Sequence, residues 1–242
     1  MKVIIEETYE ELSEVVASIL LSEMIQDKRV NIDLTDGSSP QGAYDIVSEK
    51  IAKNPQNYRN VHYYNHDEME GEIALVNELL KKQVYIPFQV QEENIHKMKF
   101  ENPYEQVKKI EAHGGLDLVV TGLGADGHFY ANFPGTAKFD EKVFTFDPKD
   151  YDWHDEYCKS LNLKEMKKIA TFGYKMLLNS KRIIVIANGL KKADAVKAIL
   201  TQPISADIPG TILRCHPNLV LILDKDAASK ISQEDINHLK NK

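Results

Sequence analysis

Cysteine is scarce in this chain of 242 residues, and a basic block is absent. There are two cysteines, and 30 Lys and Arg stand against 37 Asp and Glu, a formal net charge of −7. Cys158 and Cys215 could form one bridge, but a chain of this length can build its core without one, so reduced thiols are the simpler reading. Without a basic stripe, neither nucleic acid nor an anionic membrane is expected as a partner. No apolar stretch reaches the ~18 residues of a membrane span. The opening MKVIIEETYEEL is too acidic, and its apolar run too short, for a signal peptide. A cytoplasmic location is therefore expected by elimination. Internal repeats, low-complexity tracts and long linkers are missing too, so residues 1–242 are expected to form one domain. The hydrophobic share of 43% beside 28% charged residues excludes a disordered chain.

What is present is an alternation of strands and helices. Thr8 and Glu11 form a capping-box pattern ahead of a helix with Leu12, Val15, Val16, Ile19 and Leu20 on one face. VNIDL at 30–34 reads as a buried strand, followed by DGSSPQG and a helix carrying Ala43, Ile46, Val47 and Ile51. NVHYYN at 60–65 reads as a strand ending at His66, Asp67 and Glu68. Helices are expected over 73–86, 103–112 and 191–200, and strands over 116–124, in KIATFGY, in RIIVIAN and over 218–223. Continuous apolar strands between amphipathic helices predict an α/β fold with a mostly parallel sheet covered on both faces. The polar, aromatic stretch 136–165 is the least regular; it reads as an active-site lid or as a surface connection.

In open α/β sheets ligands bind beyond the carboxyl ends of the strands. Four polar or Gly-containing segments fall there: 36–42, 65–68, 122–128 and 188–192. In DGSSPQG, Gly37, Ser38 and Ser39 precede Pro40 at a helix start, a geometry that holds phosphate, although Asp36 would repel an anion and the segment could be an ordinary capped turn. In YYNHDE, an ionised Asp67 beside Glu68 and His66 could abstract a proton from carbon next to a carbonyl or imine; a helix cap is the alternative. GLGADGHF is the sharpest signal. Its glycines allow a tight turn on which Asp126 could fix the tautomer of His128, whereas a dinucleotide loop would require a later ribose-binding carboxylate. Lys192 follows Gly189 at a helix start and could reach a phosphate, or could be one solvated lysine among several.

LTDGSSP, NHDE, GGLDLVVTGLGADGH, NGLKKADAV and HPNLVLILD stand in the order and approximate spacing of glucosamine-6-phosphate deaminases, a resemblance running from about residue 30 to about residue 228. It implies a modified Rossmann-like three-layer α/β/α sandwich. It also implies conversion of an amino-sugar 6-phosphate to a ketose phosphate plus ammonia, with no cofactor and no metal. Asp67 would move a proton between C2 and C1, and His128, assisted by Asp126, would open the sugar ring. Gly37, Ser38, Ser39 and Lys192 would hold the phosphate. The partner implied is a small-molecule sugar phosphate; a homo-oligomer stays open.

The chain departs from that pattern in two places. Phe133 stands where deaminases carry a Glu that supports the histidine, and DYDWHDEYCK offers no Arg for the phosphate. The Phe-Pro-Gly at 133–135 and the GSSP turn are similar to the related 6-phosphogluconolactonases, in which the histidine would activate water against a lactone. A lactone hydrolase is thus the second reading, and a sugar-phosphate binder without turnover the third. His66 and His154 are auxiliary candidates for the missing Glu, with Glu68 beside them.

Overall fold

The computed structural model describes residues 1–71, 75–160 and 163–240. In chain order the elements are β1 (Lys2–Glu6), α1 (Tyr9–Met24), β2 (Val30–Leu34), α2 (Gln41–Lys53), β3 (Val61–Tyr64), β4 (Asp67–Met69), α3 (Leu75–Leu80), β5 (Ile95–His96) and α4 (Pro103–Ala112). They continue with β6 (Leu118–Gly122), β7 (Val143–Phe146), α5 (His154–Ser160), β8 (Ile169–Phe172), α6 (Tyr174–Leu178), β9 (Ile183–Ala187), α7 (Ala193–Thr201), β10 (Leu219–Asp224) and α8 (Gln233–Lys240).

Seven strands form one sheet in the order β1-β10-β9-β6-β2-β3-β5. Every neighbouring pair in it is parallel. Alternation along the buried strands sorts side chains to two faces. On one face Ile32, Val120, Ile184, Ile186 and Ile222 pack with Leu12, Val16, Leu20, Ala43, Val47 and Ile51 of α1 and α2. On the other, Val119, Ile183, Val185, Leu221 and Leu223 pack with Val107 and Ile110 of α4, Met176 of α6, and Val196 and Ile199 of α7. Two apolar layers around a parallel sheet are the α/β/α sandwich the sequence predicted.

The start of α1 carries the expected capping box. Thr8 accepts from the Glu11 amide at 3.1 Å, and the Glu11 carboxylate accepts from the Thr8 amide at 3.3 Å. Such a cap contributes about 1 kcal/mol. Cys158 is buried, Cys215 is exposed and both are unpaired. Among the described residues no helix is long and apolar enough to cross a membrane.

Three differences from the sequence reading concern the site. The segment at 65–68 does not simply end a strand. The chain turns after β3, and Asp67 begins β4, which belongs to a second sheet of order β4-β8-β7 with antiparallel pairing. The stretch 136–165 is more regular than its composition suggests, because it contributes β7 to that sheet and then α5. Within the helix expected over 73–86, the described part is α3 followed by a wider π-type turn at Lys81–Tyr85; residues 73 and 74 lie outside the described residues.

At the opposite, amino-terminal end of the sheet, Arg29 gathers three histidines. Its Nη2 lies 3.3 Å from His96 Nε2 and 3.2 Å from His113 Nδ1, and His62 Nδ1 lies 3.1 Å from His96 Nε2. Burial first, then the Arg29 and histidine charges, lower both His62 and His96 to about 4. Below about pH 6.5 the unfolded chain binds protons that these folded rings refuse, so their share of stability is complete above that pH and is lost as pH falls toward 4. The urea midpoint of the wild type should therefore drop further between pH 7.5 and pH 5 than that of His96→Gln. Equal drops would show that the ring takes a proton without penalty.

Candidate active site

The strand order reverses between β2 and β6, since β3 lies on one side of that pair and β9 and β10 on the other. A reversal opens a crevice at the carboxyl ends of the two strands. The segments after β2, β6 and β9 meet there, and the β3–β4 turn closes one wall.

Asp67 is held by its neighbours on both strands. Asn65 is fully buried; its side-chain amide donates to the Asp67 carbonyl at 2.8 Å, and its side-chain oxygen accepts from the Met98 amide. The Phe172 amide donates to the His66 carbonyl at 2.8 Å, and Asp67 pairs with Thr171 across β4 and β8. The Asp67 backbone is thus fixed before any ligand arrives. Burial pushes its carboxyl up, opposed by the charge of His66 and reinforced by Asp36, Asp33 and Glu68, to about 7. A carboxyl tuned there can both take and return a proton at neutral pH.

Behind Asp67 lies a charged pair. His66 Nδ1 is 2.7 Å from Asp33 Oδ1, and His66 Nε2 is 3.5 Å from Asp67 Oδ1. Tyr130 donates its hydroxyl to Asp33 Oδ2 at 3.0 Å and stacks its ring on His66 with centroids 3.7 Å apart. Neither Asp33 nor Tyr130 was singled out in the sequence. The available signal was a carboxylate inside the otherwise apolar VNIDL strand, which a buried position forces to find a partner.

The turn after β6 carries Asp126 and His128. Asp126 Oδ1 lies 2.6 Å from His128 Nδ1 and also accepts from the His128 amide at 3.1 Å. A carboxylate on Nδ1 selects the tautomer whose free lone pair is on Nε2. Nε2 has no hydrogen-bond partner among the described residues. Burial pushes the Asp126 carboxyl up, but the hydrogen bond and charge of His128 outweigh it, and its pKa is lowered. Gly124 makes this pairing feasible, since a Cβ there would meet His128 Nδ1 at 2.1 Å and Asp126 Oδ1 at 2.5 Å. Phe133 is buried and packs on the His128 ring at 4.6 Å, with Trp153 at 4.5 Å and Tyr157 at 4.8 Å behind it. Segment 136–165 therefore supplies an aromatic shelf beside the imidazole.

At the other end of the crevice, Ser39 donates its hydroxyl to Asn188 Oδ1 at 2.6 Å, joining the segments after β2 and β9. The amides of Ser38 and Ser39 make no hydrogen bond among the described residues. The Gly37 amide, by contrast, is taken by Gln83 Oε1 at 2.9 Å. An anion could use the two serine amides at once but must displace Gln83 to use Gly37. Lys192 is half-buried; burial lowers its pKa while the charge of Asp126 raises it, placing the ammonium within electrostatic reach of the same crevice.

The auxiliary candidates separate. The Glu68 carboxylate accepts from the amides of Met69, Val76 and Asn77 and from the Asn77 side chain, so it caps α3 and has little capacity left for a ligand. His154 lies against Asp155, Cys158 and the Met166 amide. His66 faces Asp33 and Asp67. Neither histidine hydrogen-bonds His128, whose ring packs against Phe133 instead.

The family model described as glucosamine-6-phosphate isomerases/6-phosphogluconolactonase matches residues 5–221. A glucosamine-6-phosphate deaminase of Thermoanaerobacter pseudethanolicus is 30% identical over 99% of this chain and 98% of its own length. A solved structure described as a monomeric glucosamine-6-phosphate deaminase superposes with a TM-score of 0.82 at 25% identity, covering 96% of this chain and 100% of its own. The 6-phosphogluconolactonase of Trypanosoma cruzi superposes with a TM-score of 0.75 at 19% identity over 96% of this chain and 97% of its own, a likeness of fold.

Gly124→Ala should push the imidazole off Asp126. We expect the His128 ring resonances in a ¹H–¹⁵N correlation spectrum to lose the signature of a hydrogen-bonded Nδ1–H. Retention of that signature would show that the turn can absorb the methyl group.

Proposed function

The chain belongs to the glucosamine-6-phosphate isomerase/6-phosphogluconolactonase family, and we propose that within it this protein is an amino-sugar-6-phosphate isomerase and deaminase. It would take glucosamine-6-phosphate or its galacto epimer to a ketose 6-phosphate and ammonia. The observation that carries this reading is Asp67, a buried carboxyl on rigid backbone whose pKa is lifted to about 7. Moving a proton from C2 to C1 needs one group that is a base in the first half and an acid in the second. Hydrolysis of a lactone needs no such group on carbon.

In this scheme His128 opens the sugar ring through Nε2 while Asp126 holds Nδ1. The phosphate lies on the Ser38 and Ser39 amides with the Lys192 ammonium as counter-charge. Asp67 then takes the C2 proton, the enolamine forms, and the same proton returns to C1. The amine leaves as ammonia after the carbon skeleton is a ketose imine and water adds, so no cofactor enters. Phe133 supports the second reading, a lactonase, because among the described residues it leaves Asp126 as the sole carboxylate on His128.

A coupled assay for ketose phosphate and ammonia, run with both amino-sugar phosphates and with a 6-phosphosugar lactone as control, tests the proposal. Turnover of an amino sugar is expected, with kcat/KM rising as pH passes upward through about 7 because Asp67 must be ionised to accept the first proton. Asp67→Asn should lower kcat by about 10³-fold. Hydrolysis of the lactone alone, retained in Asp67→Asn, would transfer the assignment to the lactonase.

A further inference from the structure

Asp67 is not an isolated base. Asp33, on the fully buried strand β2, accepts from the Tyr130 hydroxyl on one oxygen and faces His66 Nδ1 on the other. His66 is 1% exposed and Asp33 is 0% exposed, so the pair is shielded from bulk solvent. The Tyr130 ring lies nearly flat on the imidazole, at 13° between planes, which holds the plane of the ring while Asp33 engages its Nδ1 edge. Tyr130 holds this place at φ 49°, a left-handed conformation costly for a bulky residue. Strain of that kind persists only where surrounding contacts enforce it; here Asp33 and His66 hold the side chain, and the residue packs into the core beside Phe129.

We propose that His66 is a positioning residue for Asp67: Asp33 and Tyr130 lock its imidazole so that Nε2–H faces Asp67 Oδ1, fixing the direction of that carboxylate and setting a positive charge beside it. The inference rests on the isomerase-deaminase reading for its kinetic consequence, but the clamp itself is independent of substrate. His66 keeps its protons throughout; the proton in transit is carried by Asp67 alone. At 3.5 Å the Nε2–Oδ1 contact is an ion pair rather than a full hydrogen bond, so Asp67 remains free to present its lone pair to a carbon acid.

The charges around the ring agree with this role. Three carboxylates face it: Asp33 on β2, Asp36 just after β2, and Asp67 on β4. Burial would discharge the imidazole, but Asp67, Asp33 and Asp36 together raise it to about 9. Around Asp67, burial and the charges of Asp36, Asp33 and Glu68 all push the carboxyl up; among the described residues His66 is the cation opposing them. Without that cation, Asp67 would be protonated at neutral pH and could not start the reaction.

Two measurements on the whole protein test the clamp without substrate. The ¹⁵N shifts of His66 in the wild type should show both ring nitrogens protonated at pH 7.5; a neutral ring overturns the proposal. In His66→Gln the ¹³C-carboxyl titration of Asp67 should move up by at least about one pH unit, the size expected when a neighbouring opposite charge is removed. A midpoint within about 0.3 unit of wild type overturns it. If the glutamine variant does not fold, the ¹⁵N measurement decides alone. In the kinetic arm, His66→Gln should lower kcat by more than about tenfold with KM changed less than about twofold, and should move the acid limb of kcat/KM upward with the Asp67 titration. Absence of amino-sugar turnover in the wild type would end the isomerase-deaminase reading while the two titrations still judge the clamp.

Discussion

A carboxylate with no exposed surface, at the centre of a parallel sheet, constrains everything near it. Asp33 must be paired, because removing one member of a buried ion pair costs about 3–5 kcal/mol. Its two partners come from far along the chain, His66 at a separation of 33 residues and Tyr130 at 97. One buried charge thus ties the end of β2 to the β3–β4 turn and to the segment after the Asp-Gly-His turn. Those are the segments that carry Asp67 and His128. Satisfying Asp33 and assembling the crevice draw on the same contacts.

The second sheet follows from that requirement. To face Asp33, His66 must turn inward beyond the end of β3, which leaves Asp67 at the start of a new strand. Pairing with β8 gives that strand its backbone partners, and β7 extends the sheet. The same sheet anchors the segment that brings Trp153 and Tyr157 over Phe133 and His128. Aromatic packing braces the imidazole on its face, and Asp126 holds its Nδ1.

Much of this was legible in the sequence because it is written in local patterns. Apolar strands, a capping box and glycine turns are read over a few residues, and the parallel sandwich follows from their alternation. The Asp126–His128 pair was legible for the same reason, being two residues apart on a turn that only glycine permits at 124. Asp33 and Tyr130 were not, since their meaning lies in contacts that no local window spans. The regularity of 136–165 was hidden by length: Val143–Phe146 is made of strand-favouring residues, but four of them amid polar neighbours are too few to announce a strand until β8 pairs with them. Glu68 takes the helix-cap alternative that a DE pair after a strand also offers, since the helix start that follows consumes its carboxylate.

The two catalytic candidates of one residue type are set apart by environment alone. Asp126 sits on a partly solvated turn, hydrogen-bonded to an imidazole, and its pKa is lowered. Asp67 sits in a dry wall among other carboxylates, and its pKa is raised. Displacing two carboxyls in opposite directions assigns them different work. A group that stays charged suits a fixed role, which here is to orient His128. A group poised near neutrality suits one that must be filled and emptied in each turnover. The direction of each shift follows from the surroundings, and the surroundings follow from Asp33: its pairing with His66 places a cation that keeps Asp67 from being pushed beyond useful range. The chemistry proposed for the crevice therefore depends on a residue positioned to touch no substrate.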